Sequence, residues 1–344
     1  MKIGLFIIIS LSVLRVHAQM GGQYSFPFLS LDYNARTAAT GGYFVTVADD
    51  DVNQGLANPS LINSNMNKSI SMSQAFLAGG IKYGMAAYAS TIWKGVLTSN
   101  VRYVDYGEFQ RTEPNGQLSG VFRPFEYALG VGYGQMINPF LSIGANFNLI
   151  GSNLETYNTY GASIDLAGSF HHPNKLFSAS VCVKNAGFKF KNYSINDNGM
   201  LPVDFQLAAA YKLAHAPFRF NFVLHHLNRW DLTYNDPFAL PTYDALTGDT
   251  IPVGKANFME KLARHALIST ELLLSKSLVV RMGFNYHRRQ EMKLVERPGI
   301  SGMSFGLGFK SKLFRMDYGY VIYSKAGGNH VISISSSIDK WKKK

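Results

Sequence analysis

The residues best equipped for chemistry are few and awkwardly spaced. Two histidine pairs, His171-His172 and His225-His226, invite a metal ion. Neighbouring residues on a strand or at its end point to opposite faces, so neither pair would offer both rings to one ion. Asp49, Asp50 and Asp51 could suggest a calcium loop, but the EF-hand ligand spacing is missing. They fit better as the cap of a short helix covering roughly 52–57, where carboxylates oppose the helix dipole. Gly130-x-Gly132-x-Gly134 and Gly306-x-Gly308 lie within strand patterns with no helix behind them, so they mark close packing and not phosphate binding. The single cysteine, Cys182, has no internal disulfide partner and reads as a small inward-facing residue. No catalytic constellation stands out, and neither an enzyme, a metal nor a cofactor is expected. What remains are residue types enriched at interface hot spots: Arg229, Trp230, Asp231 and Tyr234 in the largest loop, with Arg288 and Arg289 leaving another strand on the same side. They can serve as an interfacial aromatic anchor with loop-stabilising ion pairs, as a docking surface, or as contacts to lipopolysaccharide phosphates.

The elements that carry these residues are strands. Of 344 residues only 16% are charged, while aromatics reach 13% with 24 Phe and 19 Tyr, and there are 32 Gly. A typical soluble domain carries roughly 25% charged residues. Residues 1–18 read as a signal peptide: Lys2, an apolar run from Ile3 to Leu14, and Val16-His17-Ala18 before Gln19. No later apolar stretch is long enough for a spanning helix, so an exported chain that crosses a membrane must do so as a closed barrel. The net charge of +11 is scattered over turns and strand ends without a binding module, which speaks against nucleic acid and for contact with anionic lipid.

In the ribbon Tyr127–Gly134, Tyr127, Leu129, Val131 and Tyr133 share one face, and Ala128, Gly130, Gly132 and Gly134 the other. About 14 such segments follow one another between residues 68 and 338, most long enough to cross a bilayer at a tilt. Their connections alternate between short and long, the first hairpin near Ala78-Gly79-Gly80 excepted. The expected fold is therefore all-β: an outer-membrane antiparallel barrel over 68–344, with short periplasmic turns, long external loops and both termini periplasmic. Residues 19–67 lack strand periodicity and should fold into the lumen as a plug.

That N-terminal segment carries Ala35-Arg36-Thr37-Ala38-Ala39-Thr40-Gly41-Gly42, the acidic turn Asp49–Asp51 and Asn58-Pro59-Ser60-Leu61. The pattern resembles the start of FadL-like barrels, above all the PorV/PorQ family of the type IX secretion system. Two later stretches, from His215 to Pro237 and from Leu278 to Glu291, extend the resemblance over the mature chain. It implies a non-enzymatic barrel in a cell-surface attachment complex that joins cargo to lipopolysaccharide, with a PorZ-like surface protein and the PorU/PorV pair as partners. The alternative is a FadL-like transporter of small hydrophobic molecules, which needs a lateral opening or movable plug and an apolar internal pocket. The scarcity of apolar residues on the inner faces argues against transport. A third reading is a barrel needed only for envelope integrity.

Overall fold

The computed structural model describes residues 24–195, 197–233, 242–243, 250–251, 256–293, 299–324 and 327–342. The signal peptide expected at 1–18 and Tyr234 lie outside them. The strands are β1 (Ser69–Phe76), β2 (Lys82–Ile92), β3 (Gly95–Asp105), β4 (Phe109–Thr112), β5 (Leu118–Phe122) and β6 (Phe125–Asn138). Next come β7 (Leu141–Leu154), β8 (Tyr157–His171), β9 (Phe177–Lys191), β10 (Asp204–Lys212), β11 (Phe218–Leu224), β12 (Thr242–Tyr243) and β13 (Thr250–Ile251). The last five are β14 (Ala266–Leu273), β15 (Leu278–Asn285), β16 (Met303–Lys310), β17 (Phe314–Ser324) and β18 (Gly327–Ser337). All but β4, β5, β12 and β13 join one closed barrel of 14 strands, shut by β1 pairing with β18. Every pairing around the ring is antiparallel, as expected from strands joined by hairpins.

Burial is inverted relative to a soluble protein. Leu129 and Val131 of the ribbon are 46% and 49% exposed, while Ala128 opposite them is fully buried. Around the ring Phe147, Leu207, Phe222 and Leu307 face outward, whereas Ser73, Asn146, Asp165, Ser304 and Ser333 are buried inside. An apolar outside and a polar or small inside is the surface a membrane barrel needs. Among the described residues no helix is long and apolar enough to cross a membrane.

Three features depart from the sequence reading. The segment expected as a strand over 277–289 stops at Asn285, whose side chain caps helix Tyr286–Met292 by accepting from the Arg288 amide. A separate two-stranded hairpin, β4–β5, stands in the connection after β3. Helix Phe258–His265 lies in the longest connection, capped by Asn257 through the Glu260 amide. In both helices a polar side chain at the boundary satisfies an orphan N–H, a local choice that strand periodicity does not reveal.

Residues 25–66 occupy the lumen. Helix α1 (Ala35–Ala39) packs against β15 to β18, and α2 (Gln54–Ala57) leads into a tight turn at Pro59–Leu61 against β6 to β8. In chain order the helices Phe258–His265 and Tyr286–Met292 are then α3 and α4. The wall is glycine where this segment comes closest. A Cβ at Gly319 would strike the Ala35 carbonyl, and one at Gly306 the Ala39 methyl. The segment adds Phe26, Phe28, Tyr33, Ile62 and Met66 to a core shared with inward Tyr83, Met85, Val104 and Ile150.

Candidate functional site

Polar bonds fix the lumenal segment to the wall. Asn58 Nδ2 donates to Ser169 Oγ at 3.2 Å, Ser71 Oγ to Asn53 Oδ1 at 2.6 Å, and Asn146 Nδ2 to Gly55 O at 3.0 Å. The strongest tie is ionic. Glu271 of β14, wholly buried, accepts from Arg36 Nε at 3.2 Å, Arg281 Nε at 2.9 Å and Arg219 Nη1 at 2.6 Å. Arg281 continues to Asp317 at 2.6 Å, and Arg36 to Asp49 at 2.5 Å. The acidic turn therefore does not serve mainly as a helix cap. Asp51 Oδ1 does accept from the Asn53 amide at 3.2 Å, but Asp50 pairs with Lys310 at 2.7 Å and Asp49 with Arg36. Lys310 on β16 and Arg315 on β17 lie far away in sequence and Arg36 lies in the lumenal segment itself, which is why local spacing suggested a cap.

Toward the rim of long connections the lumen holds a cavity of about 380 Å³. Its lining combines Leu29, Leu31, Tyr33, Tyr43 and Leu56 with Asp32, Arg102, Lys184, Asp204, His225, His287 and Arg288. It lies against an interruption in the wall. The β9–β10 ladder ends at Lys184–Asp204, while β9 runs on to Lys191 paired with β8 alone. Bulges in the β8–β9 ladder and a left-handed Asn185, at φ 55°, bend β9 away at this level. The gap is crossed by side chains and loop: Asn185 Nδ2 donates to Pro202 O at 3.1 Å, and Ser25 N to Met200 O at 2.8 Å.

Helix α4 roofs the cavity and brings three imidazoles together. The sequence reading held that His225 and His226 would diverge; the structure corrects this. β11 ends at Leu224, His226 takes φ 55°, and the two Nδ1 atoms lie 2.7 Å apart. The His287 ring stands 6.1 Å and 6.0 Å from theirs, and Tyr43 stacks on His225 at 4.5 Å. Burial, with His226 and Arg264 facing it, holds the His287 imidazole down at about 3. Burial and the neighbouring histidines likewise keep His225 well below its ordinary range. Among the described residues no group of His, Cys, Asp or Glu is arranged to hold a metal ion.

The six residues singled out by type separate in space. Arg288 turns inward, pairing with Asp32 at 2.8 Å and lying 5.2 Å over the Tyr323 ring. Arg289 donates to Gly299 O at 3.2 Å. Both sit on helix α4 and not on a strand end. Trp230 packs 5.3 Å from Phe258 and 5.5 Å from His265. Asp231 pairs with Lys261 at 2.6 Å; burial pushes its carboxyl up, but the Lys261 and Thr233 hydrogen bonds outweigh this and hold it at about 2. Arg229 is half-buried beside them. Cys182 is buried inside the wall, as expected. Sequence reasoning missed Arg102, Lys184 and His287, since each belongs to a strand or segment whose pattern alone assigns it no role.

No family model matches this sequence, and no curated protein matches it. Solved structures do resemble the fold. The CymD monoaromatic hydrocarbon channel aligns with a TM-score of 0.52 at 10% identity, over 90% of this chain and 98% of its own. The Pseudomonas putida toluene transporter TodX gives 0.50 at 11%, over 89% and 98%. The Ralstonia pickettii toluene transporter TbuX gives 0.50 at 9%, over 91% and 100%. Likeness over nearly the full length of both chains, at such identities, makes the barrel a fold shared with these proteins.

Proposed function

We propose that the chain is an outer-membrane passage for small, largely apolar molecules, with the segment before residue 68 as its plug. One observation carries this reading: the internal cavity abuts the place where the β9–β10 ladder stops in a lipid-facing wall. A molecule entering between the long loops could rest there and leave sideways without crossing the ionic tie beneath. The shared fold with aromatic-hydrocarbon channels supports the same direction. The apolar pocket asked for by the sequence reading is supplied by the plug and not by the wall, through Leu29, Leu31, Tyr33 and Leu56. Proteoliposome uptake of a small aromatic such as toluene tests it. Uptake should exceed that of protein-free vesicles and fall when Asn185→Cys and Pro202→Cys, in a Cys182→Ser background, are bridged across the gap. Equal uptake with and without the protein overturns it.

A second reading keeps the barrel as a scaffold in a type IX attachment complex, holding a PorZ-like surface protein beside PorU and PorV near lipopolysaccharide. The sequence stretches of the family resemblance favour it, as does the β4–β5 hairpin, whose Phe109, Leu118 and Val121 are exposed. Here the docking residues would be Trp230, Asp231 and the hairpin. Co-purification from membranes decides: a large surface protein lost on deleting 109–122 supports the scaffold, and its absence removes it.

A further inference from the structure

The cavity contains a cation that an uncharged cargo does not need. Arg102, on the inner face of β3, is only 2% exposed. Its Nη2 donates to Asn148 Oδ1 at 2.8 Å, its Nε has no partner, and among the described residues no carboxylate approaches within ion-pair distance. Asp165 is reached only through Asn148, whose Nδ2 donates to Asp165 Oδ2 at 3.3 Å. Glu126, on the neighbouring β6, is engaged by the Tyr106 hydroxyl at 2.5 Å. A buried charge without a close counter-ion is expensive, and it is tolerated where something else neutralises it.

Lys184, opposite Asp204 in the β9–β10 ladder but with no carboxylate within ion-pair distance among the described residues, donates to Leu56 O at 2.8 Å. The cavity's acids, by contrast, are occupied: Asp32 by Arg288 at 2.8 Å, Asp204 by Gln206 at 2.7 Å and by the His226 amide at 2.5 Å, and Glu291 by Arg264 at 2.8 Å. Tyr33 lies over the guanidinium at 5.9 Å, so an apolar wall stands beside the charge.

We propose that this cavity binds a small organic monocarboxylate, its carboxylate against Arg102 and its apolar body along Tyr33, Leu29 and Leu31. The proposal rests on the passage reading and narrows its cargo. One guanidinium presents a planar fork that matches a single carboxylate, and one negative charge balances it. A cavity of about 380 Å³ limits the body to a small molecule. If Arg102 were only a strut for Asn148, the cavity would have no preference for charge.

The test uses the full chain in detergent micelles, with sodium benzoate and its neutral counterpart benzyl alcohol as probes in calorimetric titration. Benzoate should bind at least about 10-fold more tightly, since only the carboxylate can accept charge-assisted hydrogen bonds from the guanidinium. Arg102→Gln should erase that preference and Arg102→Lys keep part of it. Equal binding of the two probes, or a preference that survives Arg102→Gln, overturns the proposal. The wild-type comparison decides even if Arg102→Gln does not fold. Benzoate binding without uptake into proteoliposomes overturns the passage and leaves the carboxylate site standing. Uptake of toluene with no benzoate preference does the reverse.

Discussion

Neutralising Glu271 should loosen the lumenal segment from the wall. Its carboxylate is wholly buried and receives Arg36 from the plug and Arg219 and Arg281 from the wall, at 3.2, 2.6 and 2.9 Å. In Glu271→Gln, Arg281 keeps Asp317 and Arg36 keeps Asp49, but Arg219 loses the carboxylate it is paired with. Breaking one partner out of a buried pair costs about 3–5 kcal/mol, because a desolvated charge is left behind. At about 2 °C per kcal/mol, the melting temperature should drop by roughly 6–10 °C.

Part of that loss belongs to the plug–wall contact, and a double-mutant cycle with Arg36→Met isolates it. Residues in one ionic network couple by about 0.5–3 kcal/mol, so the double variant should be less destabilised than the sum of the singles. Conductance across planar bilayers gives the second readout: Glu271→Gln should raise it and the double variant should raise it further, since both plug anchors at this point are then gone. Strictly additive melting shifts, with conductance unchanged in every variant, would refute the claim that Arg36–Glu271 holds the plug.

Other substitutions probe the remaining contacts. Gly319→Leu drives a side chain into the Ala35 carbonyl, so it should cost about 1–3 kcal/mol by overpacking and raise bilayer conductance as α1 is displaced. Acidification acts through the histidines. His225 and His287 are neutral when folded and have depressed values, so the stability they contribute is complete above about pH 6.5 and is lost as pH falls toward the folded value, about 3 for His287. By pH 5 His287 should have cost about 2 kcal/mol, His225 acts in the same direction, and His287→Gln should flatten the melting-temperature profile between pH 7 and 5. Asp231→Ala removes a half-exposed pair with Lys261 and should change stability by less than about 1 kcal/mol, with benzoate binding unaltered in titration.

The barrel was legible because its determinants are local and repeated. Each strand states its own alternation, as Tyr127–Gly134 does, and the lengths of successive links sort the two rims without any knowledge of pairing. The site was not legible, because its chemistry is made by contacts between distant residues. Asp49 meets Arg36 in sequence neighbourhood but Arg315 across the chain; Glu271 meets Arg36 from 235 positions away. Arg102 looked like one more isolated charge inside a strand, and only the plug's arrival over it turns an inward-facing guanidinium into a buried one. The histidines make the same point from the other side. The rule that adjacent residues diverge is a rule about strands, and at His226 the strand has already ended. In a filled barrel the wall pattern therefore specifies the container, while the lumenal segment decides which wall residues face a cavity, an ion pair or nothing at all. The proposed passage thus rests not on the long loops, where residue types alone had placed function, but on the inner surface where the lumenal segment and the interrupted β9–β10 ladder meet.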